Sequence, residues 1–138
     1  MAHYCVDASV VLAWLLEENY ALVNEFWRSL SGTDTIVASQ LLKPECASVI
    51  HESVGKQRIS ADQAEVAVRR LAALPVETNL NPAQFVRARE LASKFNLSKA
   101  YDTQYLAVAE LSGAELLTLD GGMRQRAVEL KLPHRLLR

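Results

Sequence analysis

Tyr4-Cys5-Val6-Asp7-Ala8-Ser9-Val10-Val11-Leu12-Ala13-Trp14-Leu15-Leu16 decides the fold. Tyr4-Cys5-Val6 is a short apolar run, as in strands buried on both faces. It stops on an acid, Asp7, and the chain turns at once into an apolar helix from about Ser9 to Leu16. The same grammar returns late in the chain. There Leu116-Leu117-Thr118-Leu119 runs into Asp120, and a helix follows from about Gly122 to Leu130. A buried strand that ends on a carboxylate and passes into a helix is one half of a βα unit. Repeated along a chain, such units build a parallel sheet with helices on both faces.

The intervening segments keep the alternation. A second helix runs from about Asn19 to Leu30, Gly32-Thr33-Asp34 is a turn, and Thr35-Ile36-Val37-Ala38 is a β-branched strand. Leu41 to Val54 reads as a helix with Pro44 in its first turn, where a missing N–H is tolerated. Gly55 fits the left-handed position just past that helix. Ser60 and Gln63 form a capping box. The helix they start carries Ala64, Val68 and Leu71 on one face and ends near Leu74-Pro75. Val76-Glu77-Thr78 is a short strand. Asn81-Pro82 opens a helix to about Phe95. Asn96-Leu97-Ser98-Lys99 joins it to a largely apolar helix from Tyr101 to Leu111, which Ser112-Gly113 stops. A strand over 115–119 and a last one near Arg135–Leu137 complete the pattern. The expected class is α/β: one α/β/α sandwich around a central, mostly parallel sheet, formed by residues 1–138.

Four carboxylates sit where folding alone does not want them. Asp7 and Asp120 end apolar strands. Asp102 opens an apolar helix, and Glu45 shares a helix stripe with Leu41, Leu42 and Val49. A buried charge needs a partner or it neutralises, and no basic residue adjoins any of the four in sequence. In a parallel sheet the ligand crevice lies at the carboxyl ends of the strands. Asp7 and Asp120 end strands, and Glu45 and Asp102 lie in the first turns of helices, so all four can meet at that edge. The partner they call for is a hard divalent ion, Mg²⁺ or Mn²⁺, which takes oxygen ligands. Such a site suits phosphodiester cleavage. Two readings of Ser9 stand: a hydroxyl bonded to an acid or to a metal-bound water, or a plain N-cap serine. Thr118 points to the same strand face as Asp120, and is either a support for that acid or an ordinary strand threonine.

Bulk properties narrow the class. Half of the 138 residues are apolar, enough for one core, and the net charge of -1 gives no general attraction to nucleic acid. The charge is uneven. Residues 1–54 hold two bases and seven acids, whereas residues 124–138 hold Arg124, Arg126, Lys131, Arg135 and Arg138 against Glu129 alone. That basic end, with Lys43 and Lys99 near the acids, is either a phosphate grip or a solvated face. No signal peptide and no apolar run of about 20 residues is visible. The chain is expected to be cytoplasmic, off the membrane, with Cys5 and Cys46 reduced.

Val6-Asp7-Ala8-Ser9-Val10-Val11, Pro44-Glu45, Leu97-Ser98-x-x-Tyr101-Asp102-x-x-Tyr105-Leu106-Ala107-x-Ala109 and Leu117-Thr118-x-Asp120 together resemble the PIN-domain family. More narrowly they resemble the VapC-type toxins of bacterial toxin–antitoxin pairs. The resemblance covers the whole chain in order and spacing. It implies a metal-dependent endoribonuclease with Asp7, Glu45, Asp102 and Asp120 as its acidic tetrad, Ser9 and Thr118 as supporting hydroxyls, and Mg²⁺ or Mn²⁺ as cofactor. It also implies an RNA substrate cut to a 5′-phosphate and a 3′-hydroxyl, a homodimer, and a cognate antitoxin. An antitoxin arginine or lysine would complement the four acids. One departure is Gly121-Gly122 after Asp120, where a larger polar residue is expected. A glycine pair loosens the backbone and is expected to weaken the placement of Asp120.

Rival chemistries are poorly served. His3, Cys5, Cys46 and His51 would make a zinc set, but residues five apart on a helix do not share a face. A haloacid-dehalogenase-type phosphatase resembles Asp-x-Asp, and position 9 is serine. Neither G-x-G-x-x-G nor a P-loop is present. Trp14, Tyr20, Phe26 and Trp27 crowd the first two helices and belong to the core or to an interface. Two other readings of the family remain: a catalytically weak PIN domain that binds RNA or protein, and a DNA-directed nuclease.

Overall fold

Four strands and seven helices alternate along the chain in the computed structural model, which describes residues 1–18, 20–78 and 81–138. The strands are β1 (His3–Val6), β2 (Thr35–Val37), β3 (Glu115–Thr118) and β4 (His134–Leu136). The helices are α1 (Ala8–Leu15), α2 (Ala21–Ser29), α3 (Leu42–Gly55), α4 (Ala61–Ala73), α5 (Ala83–Lys94), α6 (Asp102–Ser112) and α7 (Gly121–Glu129). The sheet order is β2-β1-β3-β4, and every pairing is parallel. Tyr4 lies opposite Ile36 on one side and Glu115 on the other, so β1 is fully enclosed. That is why its residues need no polar alternation: Cys5 and Val6 are both buried.

The helices form two groups. α1 packs against α2, α3 and α4, while α6 packs against β1, β3, α5 and α7. The result is an α/β/α sandwich. Val10, Val11, Leu42 and Ile50 fill one side of the sheet region, and Leu91, Leu106 and Val108 fill the α5–α6 side, all with essentially no exposure. Truncating any of the leucines to alanine is expected to cost about 2–5 kcal/mol. Tyr4 and Phe26 meet edge to face, and Trp14 stacks on Trp27 at 4.6 Å with the Arg70 guanidinium 4.3 Å over Trp14.

Several details depart from the sequence reading. Asn19, the expected start of the second helix, lies outside the described residues, and the helix is described from Ala21. Val76–Thr78 makes a single bridge, Glu77 to Val37, rather than a strand. Gly55 is the last residue of α3, and the left-handed residue is Gln57, with φ 58. The core stripe of α3 is Leu42, Cys46, Ile50 and Ser53, so Glu45 stands at its border and Val49 faces outward. On α4 the buried residues are Ala67 and Leu71, with Val68 exposed. The Ser60–Gln63 capping box forms as read, and Gly113, with φ 69, stops α6. No helix among the described residues is long and apolar enough to cross a membrane.

Candidate active site

The site is built on the seam between β1 and β3. Asp7 extends the β1 ladder by one backbone bond, to Leu117 O at 3.3 Å. Its side chain then turns back as the N-cap of α1, with Oδ1 accepting from Val10 N at 3.4 Å. Two hydroxyls complete its shell. Ser9 donates to Oδ1 at 2.5 Å, and Thr118 donates to Oδ2. Each hydroxyl is also an acceptor: Ser9 Oγ takes Leu119 N at 2.9 Å, and Thr118 Oγ1 takes Asp120 N at 2.9 Å. Ser9 is therefore not the N-cap serine. Thr118 supports Asp7 and the Asp120 backbone, rather than the Asp120 carboxylate. These two residues fasten the end of β3 to the start of α1.

Asp7 is 4% exposed. Burial pushes its carboxyl above the ordinary 3.8, and the charge of Asp120 adds to the rise. The Ser9, Thr118 and Val10 hydrogen bonds pull the other way. Glu45, the fourth residue of α3, is half-buried beside it. Burial raises its carboxyl, and the charges of Asp102 and Asp7 raise it further, while the Tyr105 hydroxyl, donating at 3.4 Å, opposes the rise. Tyr105 is itself buried, and its hydroxyl is pushed far up by that burial and by Glu45. Cys46 is pushed up to about 12, first by burial and then by Glu45 and Asp7. Cys5 is likewise held as a thiol and donates to Tyr105 O at 3.6 Å. Both cysteines thus serve as small core residues.

Asp102 and Asp120 differ from the sequence expectation: both are exposed. Asp102 begins α6, where the helix dipole favours an anion, and Arg126 Nη1 of α7 lies 3.8 Å from its Oδ2. Asp120 caps α7 by accepting from Gly122 N at 2.8 Å. The cap forms with the glycine pair in place. A Cβ at Gly122 would stand 3.3 Å from Asp120 Oδ1, a tight contact.

All four acids line one open cleft of about 180 Å³, with Ala8, Ser9, Tyr105 and Met123. Larger cavities lie against Trp14 and against the edge of β2, but no buried carboxylate lines either. Among the described residues no three His, Cys, Asp or Glu side chains close into a metal cage. A hard ion that keeps several waters needs only one or two carboxylates. The oxygen-only donor set, with two carboxyls raised by burial and mutual repulsion, fits Mg²⁺ or Mn²⁺ in that manner. Sequence reasoning assigned no role to Tyr105, and placed Arg126 only in a basic segment read as a phosphate grip or a solvated face. Tyr105 was findable, since it follows Asp102 by three residues on one helix face. Arg126 reaches Asp102 only through the α6–α7 contact. Lys43 donates instead to Ala72 O at 3.1 Å, serving an orphan carbonyl at the end of α4.

The PIN-domain family model matches residues 4–129. The chain belongs to the PIN-domain family. Among solved structures, this PIN domain is similar to PAE2754 from Pyrobaculum aerophilum, with TM-score 0.68 and 21% identity over 91% of this chain and 84% of that one. It is also similar to VapBC-1 from nontypeable Haemophilus influenzae, with TM-score 0.67 and 17% identity over 96% of each chain. A third is VapC20 from Mycobacterium tuberculosis, described as a sarcin–ricin loop cleaving toxin, with TM-score 0.65 and 17% identity over 88% of this chain and 93% of that one. At these identities the likeness is one of fold. A comparison with curated proteins gave no match.

Proposed function

We propose that this PIN domain is a divalent-metal-dependent endoribonuclease, the toxin of a toxin–antitoxin pair. The observation that carries the reading is the convergence of Asp7, Glu45, Asp102 and Asp120 on one cleft, with the deepest of them held in place by hydroxyl and backbone donors. The description of VapC20 as a loop-cleaving toxin supports RNA as the substrate class.

Asp7, Glu45 and Asp102 would hold Mg²⁺ or Mn²⁺, and Asp120 would hold a second ion or orient the attacking water. When bound, the ion neutralises charge on the phosphodiester and lowers the pKa of its water. Ser9 and Thr118 keep both Asp7 oxygens at fixed positions, so Asp7 is oriented before substrate arrives. Tyr105 donates to Glu45 and would hold that ligand in place, and the exposed Asp120 would take the proton of the attacking water. The water oxygen bonds to phosphorus, the P–O3′ bond breaks, and the leaving 3′-oxygen takes up a proton. The products carry a 5′-phosphate and a 3′-hydroxyl. The exposed bases Arg124 and Arg138 lie on the same basic segment and would contact RNA phosphates.

The same proposal includes a cytoplasmic homodimer and an antitoxin. Trp14, stacked on Trp27, borders an open cavity of about 490 Å³ with Glu17, Glu18, Asn24 and Arg70, and this surface would take an antitoxin helix. The test is cleavage of a structured RNA pool by purified protein with Mg²⁺, Mn²⁺ or EDTA, beside Asp7→Asn. Metal-dependent cuts that vanish in Asp7→Asn are expected. Folded, metal-loaded protein that cuts no RNA would instead favour a binding module.

A further inference from the structure

Arg126 makes the one ion pair, among the described residues, to any of the four cleft carboxylates. It is a long contact, like Arg70 with Glu17 at 4.0 Å, and differs from the hydrogen-bonded ion pairs of the molecule. Arg87 grips Glu110 through two hydrogen bonds of 2.6 and 3.1 Å, and Arg135 holds Glu115 at 3.2 Å. Those pairs are locked by donor geometry. Arg126 stands 3.8 Å from Asp102, beyond hydrogen-bond reach. Its side chain is only 25% exposed, whereas that of Asp102 is 56% exposed. The guanidinium therefore stands beside Asp102 at the edge of the cleft, with no hydrogen bond to it.

The position has a simpler explanation that covers part of it. Arg126 lies in the last turn of α7, where the helix dipole favours a cation. The dipole does not account for the direction taken. The side chain reaches from α7 to Asp102 at the start of α6. The cleft holds four acids, and two of them carry carboxyls raised first by burial and then by neighbouring acids. A cation that neutralises the rim without binding it tightly can leave when a better one arrives. A guanidinium also matches phosphate through parallel donors.

We propose that Arg126 is a transferable counter-ion: it balances Asp102 while the cleft holds no divalent ion, and passes to an RNA phosphate once such an ion takes Asp102. The inference rests on the nuclease reading above and names a positioning residue for it. The test is titration of Mn²⁺ alone into RNA-free protein, with Arg126→Gln and Arg126→Lys beside the wild type, followed by steady-state cleavage of an RNA that the wild type cuts. Removing the competing charge is expected to tighten Mn²⁺ binding by about three- to tenfold in Arg126→Gln. The same variant should raise KM for RNA by about tenfold, with a smaller change in kcat. Arg126→Lys should keep the wild-type Mn²⁺ affinity and recover part of the KM, because lysine keeps the charge and lacks the fork.

Arg126→Gln that binds Mn²⁺ no more tightly than an active wild type, with an unchanged melting temperature, overturns this inference alone. A wild type that neither binds Mn²⁺ nor cuts RNA overturns the nuclease reading and this inference with it. If Arg126→Gln folds poorly, the neutral Arg126→Met takes its place, and a wild-type KM in that variant overturns the phosphate role.

Discussion

Thr118→Val removes one hydroxyl and almost no volume, and it separates a support for Asp7 from an ordinary strand threonine. Thr118 is fully buried, so no water replaces what is lost. The hydroxyl donates to Asp7 Oδ2 and accepts from Asp120 N. A hydrogen bond to a charged group contributes about 1.5–3 kcal/mol, and a neutral one about 1 kcal/mol. The metal-free variant should therefore lose about 2–4 kcal/mol, or roughly 6–15 °C in melting temperature for a domain of this size. The cost must also depend on pH. The Thr118 bond lowers the Asp7 carboxyl, which burial has raised above 3.8, so the variant's carboxyl is raised further. A raised acid lowers stability only where the folded state resists losing its proton. The gap between variant and wild type should thus be small near pH 4 and widen as pH rises through Asp7's titration. Urea unfolding in EDTA at stepped pH measures both quantities. A loss below about 0.5 kcal/mol, or one independent of pH, would refute the reasoning and return Thr118 to the sheet.

Three further outcomes follow from the same geometry. Asp7→Asn should abolish RNA cutting yet stabilise the metal-free protein by about 0.5–2 kcal/mol at pH 8; that gain should shrink as pH falls and be lost well below the ordinary 3.8, where the aspartic acid is protonated in both states, as urea melts would record. Gly121→Ala should be neutral or stabilising by up to about 1 kcal/mol, since the added methyl meets only the flexible end of Arg138 at 3.1 Å. Gly122→Ala presses on Asp120 Oδ1 and should lose about 1 kcal/mol of capping with part of the cleavage rate, so the pair should separate in parallel melts and assays. Glu110→Gln breaks the grip of Arg87 between α6 and α5 and should cost about 1–2 kcal/mol in thermal melts, with cleavage unchanged because both residues lie outside the cleft.

The strands and helices were legible because burial writes itself into runs and periods. Tyr4-Cys5-Val6 and Leu116-Leu117 are apolar without alternation, and the sheet encloses both. Ends were legible where chemistry marks them, as at Ser60 with Gln63 and at Gly113. Gly55 misled because glycine permits a left-handed turn without requiring one, and the chain makes its turn at Gln57. Val49 and Val68 misled because one helix face shades into the next, and only the packed neighbours decide which residue is covered. In the cleft, the topology put the four acids at one edge, which the strand ends and helix starts already indicated. Their burial was not legible. Asp102 and Asp120 stand in water, and that depends on how far α6 and α7 overhang the seam. The partners of Ser9 and Thr118 were hidden for the same reason, since their hydrogen bonds span 110 and 111 residues respectively.

That long-range pair explains how a buried carboxylate can be kept ready without a cation. Asp7 alone would meet its burial by protonating or by pulling α1 out of register. Ser9 and Thr118 oppose both, because each hydroxyl donates to Asp7 while its oxygen receives a backbone N–H of the β3–α7 turn. Acceptance of an N–H polarises a hydroxyl and strengthens what it donates. The electrostatic strain of the cleft is thus carried by the link between β3 and α1, which belongs to the scaffold and not to a loop. Substitution at Ser9 or Thr118 should accordingly disturb stability and cleavage together. Substitution at the exposed Asp102 should disturb cleavage far more than stability, since its carboxylate makes no hydrogen bond to a buried group and bears on half-buried Glu45 only through its charge.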